Sequence, residues 1–559
     1  MHLFRLAPAC IVIPLGFATP VACGGSTVTP SDAGGDAGAE DANADGDTSN
    51  IDCAVDVASG PGILITKRGA VKGAREGDAW AYRNIPFAAP PTGALRWKPP
   101  VPAACWTDIR DGAAWGPSCP QSDANGTAQI TGSEDCLQLN VFAPVDKEGE
   151  TSAPRPIMLW IHGGGNVIGS SARILNGVRI YDGGALAAKE GVVVVSTNYR
   201  LGALGFLAHP SLATEDPNRS EGNYALLDLI AALKWVKENA AAMGGDPSRV
   251  TIFGESAGAV NVCSLVASPL AKSLFQGAIM QSGGCVVRER VDAETQGLKV
   301  FAAAKCNTEA DPLACMRALS AEAVVGALPI DVDVAGASAG YAAVNDGYVE
   351  TGKPLEVIRA GNHAKVPMLV GSNSLETSRT VPLAQTATEA QYIAAVRALA
   401  PVIADAVLAA YPVSAYASPW AAYVALTTDA KFGCSARKTV RALSASSTPA
   451  YRYYFSHALD NAPLLKNFGA WHGADVLYVF DKLQIAGYVP GAGDQAVANA
   501  FMRRWASFAR SPSDPNGGQV PPWPAYVSAT DPYLELESPS SAKEGLRTAQ
   551  CDFWDALIP

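Results

Sequence analysis

One segment, VTIFGESAGAVNVCSLV from Val250 to Val266, constrains this chain more than any other. A β-branched run leads straight into G-x-S-x-G (Gly254, Ser256, Gly258), and an Ala/Val/Leu-rich stretch of helical character follows. A turn that reverses from strand to helix within these few residues tolerates only small flanking side chains. It thrusts the serine hydroxyl out above the N-terminus of the helix. A bare G-x-S-x-G is common by chance. In the strand–turn–helix context it reads as a nucleophile elbow rather than an ordinary glycine turn, which commits the surrounding chain to a sheet covered by helices.

Other runs fit that sheet. IMLWI (157–161), VVVVS (192–196), VTIF (250–253), GAIMQ (277–281) and VPMLV (366–370) are short, apolar and closely followed by Gly, Asn or Ser. Continuous apolar runs suit central parallel strands buried on both faces. In YALLDLIAALKWVKENAAAMGGD, Leu226, Ile230, Leu233 and Val236 recur at helical spacing, and the pattern stops at Gly244, Gly245 and Pro247. Strand and helix alternate, so the expected class is α/β, with a mostly parallel sheet, helices on both faces and large inserted loops. Any site is expected at the carboxyl ends of the strands. The 559 residues would ordinarily suggest three or four domains. No low-complexity linker interrupts residues 53–559, however, and 48% hydrophobic residues suffice for one large core.

A serine attacks only when a base takes its proton, and histidine suits that task at neutral pH. Of six histidines, His2 lies in the leader, His162 opens a glycine run, and His363 sits in a polar turn. His209 and His457 read as structural. His472, between Gly469 and Gly473 in NFGAWHGADVLYVF, is the candidate base. A carboxylate must hold the imidazole in one tautomer. The strand–elbow–helix order is similar to that of α/β-hydrolases, where the acid lies between serine and histidine in the chain. Glu376, just beyond VPMLV in GSNSLETSRT, fits, and Asp346 in VNDGYV is the reserve. An oxyanion needs backbone N–H donors close by, which consecutive glycines permit. HGGGNVIGS supplies Gly164 and Gly165, and Ala257 supplies a third donor. The same run fails as a dinucleotide loop, because Ile168 stands where G-x-G-x-x-G needs its last glycine.

The N-terminus points to export. His2 and Arg5 precede the apolar LAPACIVIPLGFATPVA, which reads as a signal peptide over residues 1–22. Residues 23–52 form an acidic, small-residue tract without aromatics, expected to be a flexible tether. Cys23 opens that tract in the manner of a bacterial lipoprotein, although Pro20 stands where a leucine-like residue is usual. Lipidation of Cys23 and ordinary cleavage therefore both stay open, and with them an outer-membrane or periplasmic lipoprotein or a secreted protein. The net charge of −11, with no Lys/Arg block, argues against nucleic acid as a partner. Twelve cysteines without C-x-x-C or H-E-x-x-H argue for disulfides over zinc.

The chain as a whole resembles the type-B carboxylesterases, the cholinesterase-like α/β-hydrolases. The likeness is carried by SEDCLQLNVFAP, WIHGGG, TNYRLGALGFL, the long segment through GESAGA, GSNSLET, WHGADVLYVF and CDFW. It spans nearly all of residues 53–559 and departs at Thr377, where the family usually has glycine after its acid. The resemblance implies ester hydrolysis by Ser256, Glu376 and His472, a three-donor oxyanion hole, and neither metal nor organic cofactor. It also implies pairing of Cys119 with Cys136, Cys306 with Cys315 and Cys434 with Cys551, the last closing a loop worth about 4 to 5 kcal/mol in the entropic account. Only then do Cys53 with Cys105 and Cys263 with Cys285 follow, as what remains. The loop between Cys119 and Cys136 lacks the aromatic ring that choline recognition needs, so a selective choline esterase is not expected. By the same resemblance, LPIDVDVAGASAGYAAV lies near the acyl side of the pocket, and its small residues would admit bulky acyl groups. A binding protein that keeps the fold without chemistry is the alternative from another class, but such proteins typically lack the nucleophile. A lipase-like enzyme for longer acyl esters is the nearer rival.

Overall fold

The computed structural model describes residues 53, 56–122, 129–146, 153–328, 340–463 and 465–557. The leader (1–22), the tether (23–52) with Cys23, and all but the ends of LPIDVDVAGASAGYAAV lie outside the described residues. Among those described, one sheet contains eleven strands in chain order. They are β1 (Ala74–Glu76), β2 (Ala79–Pro86), β3 (Gln138–Pro144), β4 (Arg155–Ile161), β5 (Val193–Thr197) and β6 (Gly245–Glu255). The rest are β7 (Gly277–Gln281), β8 (Met368–Asn373), β9 (Ala450–Phe455), β10 (Pro532–Leu536) and β11 (Ser541–Glu544). Their spatial order is β11-β10-β9-β8-β7-β6-β4-β5-β3-β2-β1. From β5 to β10 all neighbours are parallel, and the outer strands β1, β2, β3 and β11 pair antiparallel.

The helices that flank it are α1 (Gly184–Glu190), α2 (Tyr224–Asn239), α3 (Ala257–Ala267), α4 (Cys434–Ala445), α5 (Ala474–Val479) and α6 (Ala492–Arg510). Alternate strand residues face opposite ways, which explains why the central runs are apolar throughout. Ile157, Leu159, Ile161, Val193, Val195, Val250 and Ile252 pack with α2, α3 and α4. Met158, Trp160, Val194, Phe253, Ile279 and Leu369 pack with α1, α5 and α6. The helical spacing in α2 does what it implies, burying Leu226, Ile230, Leu233 and Val236. Its stop differs from expectation in one respect. Gly244 takes a left-handed φ of +68 and ends the helical stretch, but Gly245 and Pro247 already belong to β6.

The fold is fastened near the site in two ways. Arg200, in the loop after β5, donates from Nε and Nη2 to Asp228 of α2 at 2.8 and 2.7 Å, with both side chains buried. Burial pushes the Asp228 carboxyl up, and Arg200 opposes it. Removing one partner would strand a charge in the core. Five disulfides join Cys53 to Cys105, Cys119 to Cys136, Cys263 to Cys285, Cys306 to Cys315 and Cys434 to Cys551. They belong to the oxidising environment of extracellular or secreted proteins. No helix among the described residues is long and apolar enough to cross a membrane.

Candidate active site

The chain leaves β4 towards β5 on one side and leaves β6 towards β7 on the other. Strand order therefore reverses between β4 and β6, and the crevice at their carboxyl ends is where such sheets bind ligands. The loops leaving these two strands are the glycine run and the G-x-S-x-G turn. Ser256 sits between β6 and α3 with φ +57 and ψ −125, a conformation few non-glycine residues adopt. The turn is tight enough to specify its glycines. A Cβ on Gly258 would lie 2.1 Å from the Ile161 carbonyl oxygen, and one on Gly254 2.7 Å from the Gly258 backbone.

Two further loops converge on the serine. His472 Nε2 lies 2.8 Å from Ser256 Oγ, and its Nδ1 lies 2.7 Å from Glu376 Oε2. Glu376 is fully buried just past the end of β8, and its Oε1 accepts the Asn373 N–H at 2.7 Å. The loops that carry Glu376 and His472 are zipped by backbone bonds, Leu375 N–H to Ala470 O and His472 N–H to Glu376 O, both 3.0 Å. The imidazole is held from both ends and packs at 4.8 Å against Phe432, so the ring is fixed although glycines flank it in the chain. Thr377, where the family usually has glycine, is buried with its hydroxyl 2.6 Å from that of Thr427.

Beside the serine runs the glycine loop. Gly164 and Gly165 have φ of +112 and +64, and a Cβ on Gly164 would meet the Ile168 carbonyl oxygen at 2.1 Å. A Cβ on Gly163 would lie 2.9 Å from that of Ser256, so the loop passes hard against the elbow. Ala257 is the first residue of α3, whose opening N–H groups lack acceptors within the helix. The remaining histidines among the described residues and the reserve acid have other employment. His162 is buried, stacked on Tyr199 at 4.5 Å and pushed down to about 4 by burial. His363 bonds Thr448, His209 stacks on Phe301, and Asp346 caps the N–H groups of Tyr348, Val349 and Glu350. His457, Asp460 and Asp494 form the one group among the described residues spaced as metal ligands, within 4.8 Å. Their atoms are already engaged, by Glu537 on His457 and by Tyr478, Tyr488 and the Gly491 N–H on Asp494.

Residues 61–554 match the Carboxylesterase family. The chain belongs to that family. Fumonisin B1 esterase of Sphingopyxis macrogoltabida is 37% identical to it over 480 residues, 82% of this chain and 84% of that protein. Liver carboxylesterase of Sus scrofa is 34% identical over 551 residues, 89% of this chain and 93% of that protein. Cocaine esterase of Homo sapiens is 32% identical over 527 residues, 88% and 89% of the two. The protein is thus a carboxylic-ester hydrolase with the α/β-hydrolase fold.

The carboxylesterase site also contains groups that the sequence reading passed over. Glu255, the variable residue inside G-x-S-x-G, is buried with Oε1 3.2 Å from His472 Nε2. Its adjacency to Ser256 was the available signal. Asp475, three residues after His472, is fully buried and accepts from Gln281 at 2.7 Å and Asn373 at 3.2 Å. Burial raises Glu255 to about 7, with Asp475 and Glu376 adding to the rise and His472 opposing it. For His472, burial disfavours the cation, yet Glu255, Glu376 and Asp475 outweigh it and carry the imidazole up to about 9. Glu255 thus moves upward chiefly because burial disfavours its charge, whereas His472 moves upward because of the negative charge buried around it. Phe432 was also missed, since it is delivered by the π-helical turn Asp429–Gly433, about 40 residues before His472 in the chain.

Proposed function

We propose that this carboxylesterase works through an acyl-enzyme on Ser256. The observation that carries the reading is the unbroken relay from Ser256 Oγ through His472 to Glu376, at 2.8 and 2.7 Å, above the switch point of the sheet. His472 Nε2 takes the Ser256 proton as Oγ bonds to the ester carbonyl carbon. The carbonyl oxygen becomes an oxyanion facing the N–H groups of Gly164, Gly165 and Ala257. Glu376 holds the proton on Nδ1 and, with Glu255, offsets the charge of the imidazolium. As the tetrahedral centre collapses, the C–O bond to the alcohol breaks and His472 returns its proton to that leaving oxygen. Water then enters, gives a proton to His472 and its oxygen to the acyl carbon. Release of the acid restores the Ser256 hydroxyl. The absence of an aromatic residue between Cys119 and Cys136 supports esters other than choline esters.

We place this chemistry outside the cytoplasm, with residues 1–22 as the export signal. The five disulfides support the compartment. Intact-mass measurement after treatment with a serine-reactive organophosphonate tests both parts. One adduct on Ser256, lost in Ser256→Ala and His472→Ala, is expected. The same mass reports whether the mature chain starts at Cys23 with a lipid increment or without one. Ser256→Ala should lower turnover on the order of 10⁶-fold, and unchanged turnover in a clean preparation overturns the assignment.

A further inference from the structure

A glycine run lets backbone N–H groups converge but offers no side chains to hold them there. In this loop the first side chain after Gly164 and Gly165 belongs to Asn166, which is buried and has φ +60. Every polar group of its side chain is engaged. Oδ1 accepts from Asn261 Nδ2 at 2.9 Å and from the Tyr199 hydroxyl at 3.3 Å, and Nδ2 donates to the Tyr341 carbonyl at 3.1 Å. Its backbone carbonyl accepts the Gly202 N–H at 2.7 Å. Tyr199 reaches the other end of the glycines as well, since its hydroxyl lies 2.8 Å from the His162 carbonyl and its ring stacks on the His162 ring.

The decisive member is Asn261. It is fully buried on α3, the helix that starts at Ala257 directly after Ser256. One hydrogen bond therefore ties the loop holding Gly164 and Gly165 to the rigid element holding both the nucleophile and the third N–H. Tyr199 is itself fixed, because the next residue, Arg200, is bolted to Asp228 of α2.

We infer that Asn166, Asn261 and Tyr199 are positioning residues that set the N–H groups of Gly164 and Gly165 against Ser256, so that the donors are in place before charge develops. The inference rests on the acyl-enzyme reading above and adds to it what holds the donors still. Preorganised donors act chiefly in the transition state, so their displacement lowers kcat and leaves substrate binding nearly as it was. A misplacement of about 1 Å costs on the order of 100-fold.

The test uses Asn261→Leu, which keeps the side-chain size but removes the donor, and Asn166→Gly, which removes the side chain where glycine suits the backbone. Both are compared with the wild-type chain for steady-state kinetics on a 4-nitrophenyl ester and for affinity towards a trifluoromethyl ketone that forms a tetrahedral adduct. Expected is a kcat lowered by about 10- to 100-fold with KM changed by less than about threefold. Ketone affinity should fall in step with kcat, and the pH midpoints of kcat/KM should not move. Folded variants with wild-type kcat, or with a loss confined to KM, overturn the inference, as does a shifted pH profile, which would place the residues with the base. Loss of folding in both variants overturns it too, because the cluster would then serve the fold. A wild-type chain that takes no phosphonate on Ser256 would instead sink the acyl-enzyme reading, so the two failures are distinct.

Discussion

Glu350 offers a prediction about stability that can be worked through from its surroundings. Its side chain is fully buried, and neither carboxylate oxygen has a hydrogen-bond partner among the described residues. The Ser264 hydroxyl of α3 is the polar group beside it, too poorly aligned for a well-formed hydrogen bond but near enough to favour the carboxylate somewhat. The residue cannot swing outward, because its N–H is held by Asp346 at 3.0 Å and its carbonyl accepts the Gly347 N–H at 2.9 Å. Burial lifts the carboxyl from 4.5 to about 8, with the Ser264 hydroxyl opposing the rise and the negative charge of Asp346 adding to it. Between those two pH values the folded protein keeps a proton that the unfolded chain releases. The associated stability is therefore fully present below about 4.5 and is lost as pH rises towards 8. At pH 7 the interval already crossed is 7 − 4.5, or roughly 2.5 units, which at 1.36 kcal/mol per unit is on the order of 3 kcal/mol. Glu350→Gln is neutral at every pH and escapes that loss. Urea unfolding from pH 4.5 to 8 should find the two chains close in stability at the acid end, with the variant ahead by a margin that widens to about 3 kcal/mol at neutral pH. A gap that does not depend on pH, or a variant that is weaker at pH 8, would show that the Glu350 charge is compensated and refute the reasoning.

Two further outcomes follow from the site. Glu255→Gln removes a negative charge 3.2 Å from His472 Nε2, so the imidazole should lose its proton more readily and the acid limb of kcat/KM should move to lower pH by about one unit or more; an unmoved limb means that Glu255 does not govern the base. Gly258→Ala drives a Cβ into the Ile161 carbonyl oxygen at 2.1 Å, where only backbone can yield, and should cost about 3 kcal/mol or more and abolish phosphonate labelling of Ser256. Wild-type labelling of that variant would mean that the elbow is looser than drawn.

What could be read from the sequence is what chemistry or sterics ties to a local pattern. The elbow declared itself because Gly254 and Gly258 are each required by a backbone contact under 3 Å, and such a demand leaves the same residue types at fixed spacing. The central strands did so because a strand covered on both sides carries a continuous apolar run, as IMLWI in β4 and AIM in β7. β9, read AYRYYF, escaped notice because Arg452 is buried in an ion pair with Asp531, a residue 79 positions away that no local pattern reveals. β1 and β11 are short edge strands with exposed charged residues, so their periodicity is faint.

The same contrast divides the residues within the site. Ser256, Glu376 and His472, which the structure brings within hydrogen-bonding distance, could be singled out because few residue types suit the proposed chemistry and strand ends confine where they stand. Asn166, Asn261, Asp475 and Gln281 resemble any other polar residues in sequence, and only burial with a definite partner distinguishes them. Their partners lie 95 and 194 positions apart in the chain. A buried amide or acid that lost its partner would cost the fold about 1 to 3 kcal/mol, so stability alone enforces each such bond, and on the proposed reading catalysis does so too. That double constraint makes separation of kcat from KM and from folding stability the measurement that can assign these residues a role, because loss of activity alone would follow from either cause.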